Sequence, residues 1–291
     1  MTNQARATYF ILLATLFWGM TFALIKDAVV TLHVFDFIFW RFLVGSLFML
    51  IVFFKQIEFS NQKIMIQGIL LGVFFGAGAI TQTIALTTTT ASTVSFITAF
   101  EVVIVPILIC FLGKKWPSLS IIFAVIFTMS GVGFLTLVKN GFVVSSGNWW
   151  ALACAFCFAI YTLLAGSFSH SGKPITLTFV QVSTLAIFTA FINLFSRQMT
   201  IPHLVNQWFA IIFCAIFASV FSFYLQIRFQ RYLSATKTAI IFSAEPIFAT
   251  LTAILYLHER LSSHFFIGAL LILLGILLSE LNLKKKIMPQ D

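Results

Sequence analysis

The sequence predicts an all-α polytopic membrane protein, with ten transmembrane helices arranged as two inverted five-helix repeats. Three observations predict it. Apolar runs of about 20 residues, enough to cross a hydrocarbon core of ~30 Å, follow one another along nearly the whole chain. Lys and Arg gather at alternate ends of those runs. One unusual element, an apolar run with a glutamate near its middle, occurs twice: ASTVSFITAFE ends at Glu101 and ATKTAIIFSAE ends at Glu245.

Composition narrows the class. Hydrophobic residues make up 60% of the chain and charged residues 9%, against roughly 25% charged in a soluble domain. Little sequence lies outside the apolar runs, so no sizeable soluble domain fits. The net charge of +9 does not point to nucleic acid, because the basic residues sit singly or in short clusters where membrane topology puts them.

Windows of apolar sequence place the spans near 7–25, 35–54, 64–86, 91–112, 119–138, 147–167, 175–195, 207–229, 235–257 and 264–282. The first run begins near Ala7 and is too long for a signal-peptide core. FWGM follows where small cleavage residues would be needed, so it is expected to be a retained span. Short polar turns such as FSNQK, GKKWPS and SHSGKP join the spans. Trp116, Trp149, Trp150 and Trp208 fall at span ends, as an interfacial aromatic belt requires, whereas Trp18 and Trp40 do not.

Counting Lys and Arg on alternate sides gives the orientation. One side holds Arg6, Lys55, Lys63, Lys114, Lys115, Lys173, Arg228, Arg231, Lys237 and Lys284 to Lys286. The other holds only Lys26, Lys139, Arg197 and Arg260, and Arg41 lies within a span. That bias puts both termini in the cytoplasm. An even span count with both ends on one side then divides into residues 1–140 and 141–291, each with five spans and therefore running in opposite senses. The loop before span 4 is the uncharged TTTT; its counterpart before span 9 is the basic QRYLS.

The duplication extends beyond the acids. At the same offset of 144 residues Gln82 meets Gln226 and Gly131 meets Gly275. At an offset of 140 Arg41 meets Gln181, and FWGMTF in span 1 is the counterpart of FAIYTL in span 6.

FWGMTFALIK, an aromatic-Trp-Gly opening that ends in Lys, resembles the first span of the drug/metabolite transporter superfamily, in its ten-span EamA-type branch. Arg41 lies where the second span of that family commonly carries Arg. SAEPIFATLTAILYLHERL followed by IGALLILLGILL is similar to its last two spans. The likeness covers essentially the whole chain. It implies two inverted five-span bundles around a central cavity and the movement of small metabolites, often amino acids and often outward. There are departures. The first copy reads EVVIVP, so its proline is Pro106 and does not follow Glu101 directly, and Lys114 stands where the second half has Glu259.

Each candidate residue carries two readings. Glu101 and Glu245 lie about ten residues into their helices from opposite faces, ~15 Å deep, where a carboxylate costs roughly 2.5–3.5 kcal/mol to insert. They either line a cavity, binding an amine or taking up a proton during the cycle, or lock the bundle by hydrogen bonds to neighbouring backbone. Gln82 and Gln226 line the cavity or glue helices together, the latter worth about 1 kcal/mol. Arg41 binds a substrate carboxylate or snorkels to the outer interface. Trp18, Tyr161 and Tyr224 form an aromatic wall or face lipid and core. Gly72, Gly76 and Gly78 suit close helix approach. Cys154 and Cys157 form a CxxC that is read as packing, and the five histidines fall at loops or span ends without metal-ligand spacing.

The expectation is therefore a secondary transporter of the bacterial inner membrane, not an enzyme, with no cofactor or metal. Its partners are a small-molecule substrate and the lipid bilayer, with protons as a coupling ion and homodimerisation left open. Amino-acid export is the first reading; multidrug efflux of lipophilic cations is the alternative.

Overall fold

A computed structural model describes residues 2–114, 116, 119–138, 141–142, 145–196 and 199–287. Lys115, Lys139 and Arg197, which entered the charge count, lie outside the described residues.

In the first half α1 (Asn3–Ala28), α2 (Val34–Phe53) and α3 (Gln62–Thr88) precede a divided pair, α4 (Ala91–Thr98) and α5 (Glu101–Leu112), and then α6 (Leu119–Thr136). In the second, α7 (Ser146–Phe168) and α8 (Pro174–Ser196) are followed by α9 (Val205–Phe213) and α10 (Ser222–Phe229), which a π-helical stretch, Cys214–Phe221, joins end to end. A second divided pair, α11 (Ala235–Phe242) and α12 (Glu245–Leu257), leads to α13 (Ser263–Ile287). Eight helical segments are long and apolar enough to cross a membrane, and two apolar helices, Ile121–Leu135 and Ser263–Leu278, are shorter. The last residues of the predicted fifth span are not helical. Leu137–Val138 (β1) pairs antiparallel with Gly141–Phe142 (β2).

Local chemistry starts the helices where they start. Thr2, Asn61, Thr90, Ser145 and Ser234 each accept a bond from a free amide of the first turn, which satisfies a donor that has no partner inside the helix.

Packing follows the duplication. α2 lies on α8, α6 on α13, and α4 on α12. α1 packs on α12 and α10, as α7 packs on α4, α5 and α3. Exchanging the halves maps these contacts onto one another. The correspondence holds at single residues. A Cβ on Gly131 would come 2.6 Å from the Gly268 carbonyl, and one on Gly275 would come 2.8 Å from the Ala124 carbonyl. Under the 144-residue offset Gly268 is the counterpart of Ala124, so the two clashes are one contact seen twice. The Gly72 motif also serves close approach, because its Cβ would meet Thr184 at 2.7 Å and the Gln181 carbonyl at 2.9 Å.

Candidate cavity at the two broken helices

Both duplicated runs break over the two residues before the acid, so Glu101 opens α5 and Glu245 opens α12. Proline is not the shared cause. Pro246 sits at the first turn of α12, where its missing N–H leaves nothing unsatisfied, but Pro106 lies inside α5, past the break. Each copy has a back-bonded hydroxyl at the break, at positions one residue apart under the 144-residue offset. Thr98 Oγ1 donates to the Ser95 carbonyl at 3.0 Å, and Ser243 Oγ donates to the Ile240 carbonyl at 2.6 Å. Such back-bonding competes with the helix ladder. At both breaks the backbone tightens: the Phe100 amide reaches Ile97 and the Ala244 amide reaches Ile241, each three residues back.

The two acids face one cavity. Trp18, Arg41, Gln82, Glu101, Tyr161 and Glu245 line it, together with Thr21, Phe75, Phe158, Thr162 and Phe242. It measures about 30 Å³ as space open to the centre of a water molecule. About two waters fit such a volume, whereas small-molecule pockets run to several hundred Å³.

Six of the eight sequence-predicted residues thus meet in one place. Glu101 is 7% exposed, and its Oε1 has no hydrogen-bond partner among the described residues. Arg41 does not snorkel. It is 4% exposed, its Nε donates to Ser219 Oγ at 3.0 Å, and its guanidinium lies 5.0 Å from the centre of the Phe42 ring. Among the described residues the sole ion pair joins Lys173 to Glu58, so neither cavity acid pairs with Arg41. Trp18 is fixed by its indole N–H, which donates to the Ala218 carbonyl at 2.7 Å. Gly19 explains the Trp-Gly opening, since a Cβ there would stand 2.6 Å from Phe248 Cβ and 2.9 Å from the Glu245 carbonyl. Span 1 can therefore rest directly against the start of α12.

Gln226 sits behind the cavity wall rather than on it. Tyr161 accepts from Gln181 Nε2 at 3.2 Å and donates to Gln226 Oε1 at 3.1 Å. Gln226 donates on to Gln230, which donates to the Thr162 carbonyl at 2.9 Å. This closed loop of bonds fixes the tyrosine at the cavity edge. Tyr224 lies elsewhere, in a lateral groove with Phe48 and Val220.

Sequence reasoning missed the hydrophobic part of the lining. Phe75 stacks on Phe158 at 5.1 Å and meets Phe223 edge-on at 4.4 Å, but in a chain with 37 phenylalanines no single one stands out. It also missed the π-helical stretch, whose Ala218 carbonyl and Ser219 hydroxyl receive Trp18 and Arg41. Ser219 and Ser222 donate to carbonyls five residues back, Cys214 and Phe217, at 2.9 and 2.7 Å. Inserted π turns recur at functional sites.

Polar contacts close the bundle beyond the cavity. At the end carrying Ala28, Lys26 Nζ donates to the carbonyls of Leu86 (3.1 Å) and Thr89 (2.6 Å). Glu259, from the loop after α12, accepts from the Ala91 amide at 2.7 Å and from the Ser92 hydroxyl at 2.7 Å. Asp27 accepts from Asn206 and Tyr256, both at 3.0 Å. At the opposite end Lys173 pairs with Glu58, and Phe10 stacks on Phe229 at 4.5 Å.

Apolar spans, two matched halves and a polar cavity at paired helix breaks define a multi-pass membrane protein built by duplication. The chain belongs to the EamA-like transporter family, whose model matches residues 5–137 and again 145–281. It is 30% identical over 274 residues to an uncharacterized transporter of Archaeoglobus fulgidus, covering 93% of this chain and 84% of that one. It is 25% identical over 277 residues to the uncharacterized transporter YyaM of Bacillus subtilis, covering 90% of each. A solved crystal structure shares the fold with a TM-score of 0.72 at 16% identity, covering 98% of this chain and all of that one.

Proposed function

We propose that this transporter carries a small zwitterionic metabolite, an amino acid or a related compound, outward across the inner membrane by alternating access. The halves, residues 1–140 and 141–291, act as inverted five-span bundles with both termini cytoplasmic, and the two shorter apolar helices complete ten spans. The observation that carries this reading is that Arg41 lines the same cavity as Glu101 and Glu245 without pairing to either. Two acids and an arginine held apart in an apolar setting are satisfied by a solute that carries both charges. Its carboxylate would meet the guanidinium, with bidentate geometry available to the terminal nitrogens, and its ammonium would meet the acids. The cavity of about 30 Å³ belongs to a closed form, so the halves must part to admit the solute.

No step calls for catalysis. Energy comes from the solute's own gradient or from protons, for which the unpartnered Glu101 oxygen is the acceptor. A second reading, efflux of lipophilic cations, draws on the aromatic lining of Trp18, Phe75, Phe158, Tyr161 and Phe242. Arg41 separates the two, because a cation gains nothing from it.

Uptake of labelled amino acids, and separately of a cationic dye, into proteoliposomes tests both. Glu101→Ala, Glu245→Ala and Arg41→Gln should each abolish amino-acid flux, while Lys63→Ala should leave it intact. Flux that survives both acid substitutions would remove the acids from the mechanism. Dye flux that rises in Arg41→Gln would favour the second reading.

A further inference from the structure

The stretch that holds Arg41 and Trp18 has a second side. Val220 and Phe221 of the π-helical stretch turn away from the cavity and form one wall of a lateral groove between α2, α8 and α10, and Phe48, Met49, Ile175 and Tyr224 complete most of it. The groove measures about 390 Å³. Its floor is well packed, with Met49 at 1% and Val220 at 5% exposure. Two cations flank the lining in the chain. Lys55 adjoins the lining residue Gln56, and Arg228 stands one turn beyond Tyr224, with its guanidinium 5.9 Å from the centre of that ring. Both cations are exposed, and among the described residues neither is paired to a carboxylate. The lining itself carries no charged residue, and neither does that of the other lateral groove, about 480 Å³ between α2, α3 and α8.

We propose that the groove behind the π-helical stretch is a binding site for an anionic phospholipid, with an acyl chain in the groove and the phosphate on Arg228. An apolar slot open to the bilayer takes an acyl chain of any lipid. Arg228, over the ring of the lining residue Tyr224, selects a headgroup with net negative charge, through the same attraction that draws basic segments to anionic leaflets. The site is independent of the solute cavity, but it shares a wall with it. A chain seated against Val220 packs on the backbone whose opposite side fixes Arg41 and Trp18.

The full chain in detergent, titrated with dioleoyl-phosphatidylglycerol or dioleoyl-phosphatidylcholine, tests this by thermal melting. The anionic lipid should raise the melting temperature by roughly 3–5 °C at saturation and the zwitterionic lipid by clearly less. Arg228→Gln should erase the difference between them. Ile216→Trp, which fills the groove, should erase the rise itself, and Phe48→Trp serves if the first variant does not fold. Equal shifts from the two lipids, or a preference that survives Arg228→Gln, would overturn the headgroup assignment. An anionic-lipid rise undiminished in the tryptophan variants would show attraction to surface charge alone and would overturn the groove.

Discussion

Spans 4 and 9 break at matching residues, while spans 3 and 8 have diverged. α3 runs unbroken as α-helix, whereas its counterpart passes through eight residues of π-helix. The matched glutamines have diverged with them: Gln82 lines the cavity and Gln226 sits behind it, bonded to Tyr161 and Gln230. The difference teaches which parts of a duplicated fold can change separately. The breaks in spans 4 and 9 place two acids in one shared cavity, so each is tied to the other. Spans 3 and 8 meet equivalent neighbours, α7 and α8 in one case and α1 and α2 in the other, but through different contacts. The glycine face of α3 seats α8 and α7, while span 8 supplies a carbonyl and a hydroxyl to Trp18 and Arg41.

Several substitutions would break or sharpen this contrast. The largest effect is expected where the halves still match. Gly131→Leu and Gly275→Leu each drive a side chain into backbone under 3 Å away. Overpacking of this kind costs about 1–3 kcal/mol or more, so both variants should melt lower and by similar amounts. A drop in one alone would show that the glycine contact is not duplicated in strength.

Next come the glutamines, where the halves differ. Gln226→Leu strands Tyr161 and Gln230 and should destabilise by about 1–3 kcal/mol. Gln82→Leu should melt within roughly 0.5 kcal/mol of the parent while altering transport. Equal loss of stability in the two would mean that Gln82 is also a structural tie.

Ser219→Ala tests the π-helical stretch directly. It removes the acceptor for Arg41 Nε. A hydrogen bond to a charged group is worth about 1.5–3 kcal/mol, and an alternative rotamer recovers part of that. KM should therefore rise roughly three- to tenfold, with the maximal rate little changed. Ser219→Thr, which keeps the hydroxyl, should restore it.

The smallest effect belongs to the hydroxyls at the breaks. Thr98→Val and Ser243→Ala should each shift stability by well under about 1 kcal/mol. Combining them should lower transport more than either alone if both breaks move together.

Much of this was legible in the sequence. Hydropathy located eight spans and two shorter apolar helices where ten spans were expected, since lipid contact demands long apolar runs whatever the packing. The offset of the two acids marked the repeat, and six of the eight candidate residues came together because a mid-depth polar group in an apolar span has few other places to go. The remainder depends on geometry that composition does not encode. Trp18 and Arg41 were visible as candidates, but their partners are a backbone carbonyl and a common serine. Gly19 was read as part of a motif, and its reason, contact with the start of α12, needed the fold. Tyr224 has the same chemistry as Tyr161, but it lines the lateral groove and not the cavity.

Glu259 offers a last point. The carboxylate grips the start of α4 through the amides of residues 91 and 92 as well as the Ser92 hydroxyl. Every residue except proline presents such an amide, so a mutation at position 91 leaves that half of the clasp in place. Drift can rewrite the residue whose amide donates while the accepting carboxylate of Glu259 stays fixed. Methods that look for paired changes between positions will then pass over one of the joints by which the second repeat holds the first.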